Sequence, residues 1–122
     1  MAIFRGTIGD DILTGTISND YISGGSGNDV ITGGAGDDRM RGGAGADVFL
    51  FNRADGHDRI VDFQQGVDHL EFHGISGREV VWTATEGGVT VSYGGLAGLA
   101  TNHGEIFIAG VTSLDFNDFI FS

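Results

Sequence analysis

The chain has 122 residues, with seventeen acidic side chains against six basic ones and a net charge of −11, a balance that disfavours nucleic acid and anionic membrane surfaces unless a cation compensates. It has 23 glycines and no cysteine, so no disulfide reinforces it, and its size allows one compact domain or two coupled subdomains with only a small core. No segment is long and apolar enough to span a bilayer as a helix, and no basic start leads into an apolar run as an amino-terminal signal peptide would.

From Gly6 to Leu50 a nine-residue period repeats in five consecutive copies: GTIGDDILT, GTISNDYIS, GGSGNDVIT, GGAGDDRMR and GGAGADVFL. Position 6 is always aspartate (Asp11, Asp20, Asp29, Asp38, Asp47) and position 8 is always large and apolar (Leu13, Ile22, Ile31, Met40, Phe49). Each copy divides into a six-residue turn, where glycine allows tight curling, and a three-residue strand. Strand side chains alternate, so position 8 points to one face and positions 7 and 9 to the other. Two copies make one coil, with the position 8 residues of both sheets forming a thin apolar ladder inside.

Coiling stacks copies 1, 3 and 5 on one side and copies 2 and 4 on the other, so aspartate lies over aspartate. Two bare carboxylates ~5 Å apart repel by roughly 3 kcal/mol at an effective dielectric near 20, which a core this thin cannot absorb several times over. A cation is required between them. A hard ion that takes six to eight oxygens in irregular geometry is calcium, whereas magnesium demands a stricter octahedron.

These five copies resemble the RTX (repeats-in-toxin) family, also called hemolysin-type calcium-binding repeats. The resemblance implies an all-β fold, a right-handed parallel β-roll over residues 1–50, capped by a short antiparallel β region over residues 51–122. It also implies calcium ligands taken as carbonyls and the position 6 carboxylate of one turn, joined to those of the turn two copies later. Carried over, the first site uses Thr7, Gly9 and Asp11 with Gly24, Ser26 and Asp29. The second uses Thr16, Ser18 and Asp20 with Gly33, Ala35 and Asp38, and the third uses Gly25, Gly27 and Asp29 with Gly42, Ala44 and Asp47. Gly34, Gly36, Gly43 and Gly45 hold the same positions 2 and 4 in the last copies and complete the candidate set. Copies 1 and 2 depart from the pattern, with Thr7, Thr16 and Ser18 standing where the family has glycine, which marks their sites as the weaker ones.

Past copy 5, the segment from Phe51 resembles the stretch immediately after the repeats in secreted RTX proteins, serralysin-like proteases included. That likeness implies that Asp58, Asp62 and Asp68 supply carboxylates to the last ions, for about three to five ions in all. The residues themselves also allow a solvated acidic loop here, because the spacing from Asp47 to Asp58 breaks the period. Alternation predicts strands over Val67 to Phe72, Val80 to Ala84, Val89 to Tyr93 and Glu105 to Ala109, with a turn at Glu86-Gly87-Gly88 and a flexible connection over Gly94 to Gly98. An open coil end needs a cap, and Phe51, Phe63, Leu70, Phe72 and Trp82 are its candidates.

The last residues, Leu114 to Ser122, resemble the carboxyl-terminal signal of type I secretion substrates, with Asp118-Phe119-Ile120-Phe121 as its core. The same residues also fit a final edge strand with Phe119 and Phe121 packed inward. The resemblance thus implies a secreted, extracellular protein, partnered by calcium and the type I secretion machinery, with no membrane insertion. It fits both a stand-alone secreted protein and the tail of a larger enzyme or toxin.

Catalysis is not expected. His57, His69, His73 and His103 include an i, i+4 pair, but on a strand such residues stand ~13 Å apart, and no HExxH, nucleophile elbow or phosphate loop occurs. A binding module is the rival reading. All six basic residues are arginine, and Arg39 and Arg41 hold the outward positions 7 and 9 of copy 4, with Arg53 and Arg59 nearby. Their planar forks suit either neighbouring aspartates or an acidic polysaccharide. Repeat modules of secreted mannuronan epimerases, which are similar, bind alginate.

Overall fold

The computed structural model describes residues 2–52, 56–75, 80–93, 104–114 and 116–122. Its strands are β1 (Ala2–Arg5), β2 (Ile12–Thr14), β3 (Asp20–Ser23), β4 (Val30–Thr32), β5 (Arg39–Arg41), β6 (Val48–Phe51), β7 (His57–Ile60), β8 (His69–Phe72), β9 (Val80–Thr85), β10 (Gly88–Tyr93), β11 (Gly104–Ala109) and β12 (Phe119–Phe121). A short 3-10 helix, Phe116–Asp118, leads into β12.

Successive strands of the repeats alternate between two sheets, ordered β1-β3-β5-β7-β11-β10-β9 and β12-β8-β6-β4-β2. Within each sheet the repeat strands pair in parallel, so the chain is wound as a β-roll. Position 8 sets the register. Phe4, Ile22, Met40, Ile60 and Ile108 stand in line in one sheet, and Leu13, Ile31, Phe49, Leu70 and Phe119 in the other. Ile22, Ile31, Met40, Phe49, Ile60 and Leu70 are fully buried, whereas Phe4 and Leu13, on the end strands β1 and β2, are only half-buried.

The roll extends beyond the five copies at both ends. Strand β1 pairs with β3 and places Phe4 opposite Ile22, nine residues before Leu13. It matches the strand half of a copy. At the other end β7 and β8 add the next rungs despite the broken spacing. The expected antiparallel cap is present in β9, β10 and β11, but β11 also adds in parallel to β7 and β12 in parallel to β8. The carboxyl-terminal part therefore continues both sheets of the roll, because its inward residues Ile108 and Phe119 fit the same ladder.

Strand β8 begins at His69 rather than at Val67. The Asp68 carboxylate accepts the Gln64 N–H at 2.8 Å, and the N–H groups of Val67 and Asp68 both reach the Gln64 carbonyl, so these residues close a turn. All five candidate cap residues lie in the core or against it. Phe51, Phe63, Leu70 and Phe72 are buried, and the half-buried Trp82 packs on Phe119 with ring centroids 5.4 Å apart. Phe119 is buried as expected, but Phe121 remains 39% exposed because β12 is an edge strand. Gly94 to Gly98, His103 and Arg53 lie outside the described residues.

Candidate metal centre

The turns of copies 3, 4 and 5 depend on left-handed glycines. Gly25 and Gly27 have φ of 86° and 92°, and the matching pairs in copies 4 and 5 repeat this conformation, which a Cβ would strain. Close stacking adds a second reason for glycine. A Cβ on Gly25 would lie 2.5 Å from the Thr7 carbonyl oxygen, and one on Gly27 would lie 2.7 Å from the Gly9 carbonyl oxygen. Gly34 and Gly36 face the carbonyls of Thr16 and Ser18 in the same way, and Gly43 and Gly45 those of Gly25 and Gly27. Carbonyls of positions 2 and 4 therefore point into the space between stacked turns. The Thr7 carbonyl accepts the Ser26 N–H, and that of Gly25 accepts the Ala44 N–H.

Position 6 forms two columns. In the first, the Asp11 N–H donates to Asp29 Oδ1 at 2.8 Å, that of Asp29 to Asp47 Oδ1 at 2.9 Å and that of Asp47 to Asp68 Oδ1 at 2.9 Å. In the second, the Asp20 N–H donates to Asp38 Oδ1 at 2.8 Å and that of Asp38 to Asp58 Oδ1 at 3.0 Å. Asp58 and Asp68 thus continue the columns past the spacing break. Asp62 stands apart from both, its carboxylate accepting the N–H groups of Gly42 and Gly43 at 2.9 and 2.8 Å. Each aspartate from Asp20 onward in these columns is buried.

The residues present fit a hard cation. Oδ2 of Asp29 and Oδ2 of Asp47 are buried without a hydrogen-bond partner, and a buried carboxylate oxygen left so is costly. These atoms lie against the glycine at position 1 of their own turn. A Cβ on Gly24 would be 2.5 Å from Asp29 Oδ2 and 2.7 Å from the Gly42 carbonyl oxygen, and one on Gly33 would be 2.6 Å from Asp38 Oδ2. Among the described residues no three His, Asp or Glu side chains converge, so a cation here draws on carbonyls as much as carboxylates. That oxygen-only, mixed set suits calcium.

Burial lifts the Asp47 carboxyl to about 7, helped by the nearby charges of Asp68, Asp29 and Asp62 and opposed by the N–H of Asp29. Burial likewise raises Asp29 and Asp68, with Asp11 and Asp62 adding repulsion. Without a cation the columns hold negative charge that the surroundings resist.

Position 5 is Asp or Asn in four of five copies, and its side chain forms an outer ladder. Asp10 Oδ1 accepts the Asn28 N–H at 2.8 Å, Asn28 Oδ1 that of Ala46 at 2.9 Å, Asn19 Oδ1 that of Asp37 at 2.7 Å and Asp37 Oδ1 that of His57 at 3.0 Å. Among the described residues the histidines do not meet. His57 pairs with Glu105 at 3.0 Å, and His73 lies 3.3 Å from the Ser122 hydroxyl.

On the outward face, Tyr21, Arg39 and Arg59 stand in register across β3, β5 and β7. The Arg59 guanidinium sits 5.1 Å over the Phe107 ring, and a shallow groove of about 460 Å³ runs along Asn19, Tyr21, Asp37, Arg39, His57 and Arg59.

No curated protein sequence matches the chain. Among solved structures it is similar to the AlgE6R2 subunit of the Azotobacter vinelandii mannuronan C5-epimerase, at 26% identity and a TM-score of 0.63 over 97% of this chain and 91% of that one. It shares its fold with the extracellular lipase LipA from Serratia marcescens, at 24% identity and a TM-score of 0.58, covering 96% of this chain and 20% of the lipase. The RTX calcium-binding nonapeptide repeat, in four copies, matches residues 5–40 and 14–49. The coil of residues 5–49 therefore belongs to the RTX calcium-binding repeats.

Proposed function

We propose that the chain is a calcium-dependent folding module of a secreted protein, whose coil forms outside the cell and supports type I secretion and the stability of itself or an attached passenger. The observation that carries this reading is the pair of buried aspartate columns in which Oδ2 of Asp29 and Oδ2 of Asp47 have no hydrogen-bond partner. A bound calcium ion supplies the positive charge and the six to eight oxygen positions that such a column needs. The ligands are the carboxylates of the columns, Asp58 and Asp68 included, with the carbonyls of positions 2 and 4 from the turns stacked on them. Asp62, held on Gly42 and Gly43, serves the same end of the first column.

Only the coiled chain gathers these oxygens, so calcium at a hundredfold its Kd favours the coil by about 2.7 kcal/mol for each independent site. At the low calcium of a cytoplasm, carboxylate repulsion and glycine entropy keep the chain expanded and threadable. The terminal segment fits this order of events. Phe119 is buried against Phe72 and Trp82, so the exporter reads Asp118 to Phe121 from the uncoiled chain. The test is far-ultraviolet circular dichroism during a calcium titration, with magnesium as control. A disordered spectrum that turns to β-sheet with calcium alone supports the reading, and a spectrum indifferent to calcium removes it.

A second reading has a specific observation behind it. Among the described residues no carboxylate pairs with Arg39, Arg41 or Arg59, although both signs of charge are close by. The Tyr21-Arg39-Arg59-Phe107 row offers cations and ring faces along one line, which suits a polyuronate such as mannuronan or alginate. The similarity to a mannuronan epimerase subunit points the same way. An Arg39→Ala/Arg59→Ala variant that folds normally and binds alginate as tightly as the parent would remove this reading.

A further inference from the structure

Positions 5 and 6 of the turns reach in opposite directions. The position 6 carboxylate reaches back, as Asp29 Oδ1 accepts the N–H of Asp11, whereas the position 5 side chain reaches forward, as Asp10 Oδ1 accepts the N–H of Asn28 at 2.8 Å. Asn19 holds the N–H of Asp37, Asn28 that of Ala46 and Asp37 that of His57 in the same way, at 2.7, 2.9 and 3.0 Å. Amide and carboxylate oxygens serve alike here, so the bond needs an acceptor and not a charge.

The N–H that is held shares a peptide unit with the carbonyl of position 4. A trans peptide is planar, with its N–H and C=O pointing opposite ways, and none of the described peptides is cis. Drawing the Asn28 N–H back to Asp10 therefore turns the Gly27 carbonyl forward, toward Gly45 of the next turn, where an added Cβ would strike it. Asn19 turns the Gly36 carbonyl toward Gly56 by the same bond to Asp37. Among the described residues no N–H donates to the Gly27 or Gly36 carbonyl, whereas the Gly25 carbonyl of position 2 already accepts the Ala44 N–H. The carbonyls that position 5 aims are thus the ones left open to a cation.

Resting on the reading of the columns as calcium sites, we infer that Asp10, Asn19 and Asn28 are positioning residues for the ions. Each aims, through one peptide plane, a position 4 carbonyl of the turn one coil on into the space that an ion fills. Positions 5 and 6 then divide the work, the first orienting a neutral ligand and the second supplying charge. Asp37 makes the same bond without that consequence, because the Gly56 carbonyl it turns accepts the Glu105 N–H at 2.9 Å. The ladder stops at Ala46, which has no side-chain acceptor, and the N–H of Val67, the residue before Asp68, is taken by the Gln64 carbonyl.

The test is a calcium titration of the full chain, comparing Asp10→Ala with Asp10→Asn and Asp37→Ala with Asp37→Asn. The asparagine variants remove a charge and keep the acceptor, and the Asp37 pair measures what the bond is worth to the coil where it aims no ion ligand. The expected result is a calcium midpoint roughly threefold to tenfold higher in Asp10→Ala than in Asp10→Asn, with a smaller ratio for the Asp37 pair. Equal midpoints for the two Asp10 variants, or an Asp37 pair that differs as much, would overturn the inference while leaving the calcium reading intact. A parent that binds no calcium would overturn both. Should Asp10→Ala fail to fold in saturating calcium, Asn19→Ala against Asn19→Asp decides by the same ratio.

Discussion

The two halves of this molecule hold the same sheets together by different means. Between Asp20 and Leu50 each strand contributes one buried apolar side chain at position 8, and the turns bury carboxylates beside it. Past Leu50 the aspartate columns reach Asp58 and Asp68, and rings take over beyond them. Phe51, Phe72 and Tyr93 pack with centroids 5.1 to 5.9 Å apart, and Phe72 also meets Phe119 at 5.8 Å. The lesson is that a parallel roll can be continued by electrostatics where its cross-section is thin and by apolar volume where it is thick. On the proposed function the first region answers to calcium, and the second to packing.

The largest effect is expected where the packing is thickest. Phe72→Ala removes the ring at the centre of the aromatic cluster and should cost about 3–5 kcal/mol, by urea denaturation, whether or not calcium is saturating. Asp47→Asn should behave otherwise. It weakens every site that Asp47 shares, so the loss of about 2.7 kcal/mol per ion appears in saturating calcium and shrinks or reverses without it. Equal losses from both variants in both conditions would break the contrast between the halves.

Glycine substitutions sharpen it further. Gly43→Ala meets both a left-handed φ of 82° and the Gly25 carbonyl oxygen, whereas Gly74→Ala meets a φ of 71° with nothing within 4 Å. The first should cost about 2–3 kcal/mol, combining strain with lost stacking, and the second about 1 kcal/mol. Thermal melts in calcium distinguish them.

The smallest effect concerns pH. The Asp47 carboxyl rises to about 7 in the coil because of burial and neighbouring charge, against about 3.9 in an unfolded chain. The coil therefore binds the proton more tightly than the unfolded chain does. For the calcium-free chain this contribution is fully present below about pH 4 and is lost as pH rises through about 7. Residual β-structure without calcium should be greater at pH 5 than at pH 8, while the calcium midpoint moves to higher concentration as pH falls.

The range of each interaction decides how much of it could be read beforehand. The coil, its inward position 8 and the stacking of aspartates were legible because one nine-residue unit contains the whole instruction. Strand β1 was missed although Phe4 lies nine residues before Leu13, since its half-copy lacks the glycine turn that flags the others. Asp58 and Asp68 were named on family likeness, but inserted residues hid their place in the columns, which depends on partners twenty and twenty-one residues away. The parallel pairing of β11 with β7 depends on still more distant residues, and local alternation carries no record of it. The threonines of copies 1 and 2 stand out in the sequence as departures from a pattern, but that their hydroxyls lie on Asp11 and Asp20 depends on the folded turn.

Completion of the aspartate columns by calcium is the central claim, and hydrogen exchange measured along the chain with and without calcium tests it most directly. The expected result is that the N–H groups of Asp29, Asp38 and Asp47, which donate along the columns, become strongly protected only when calcium is present. Equal protection of these amides in the calcium-free chain would contradict the claim and mean that packing alone holds the roll.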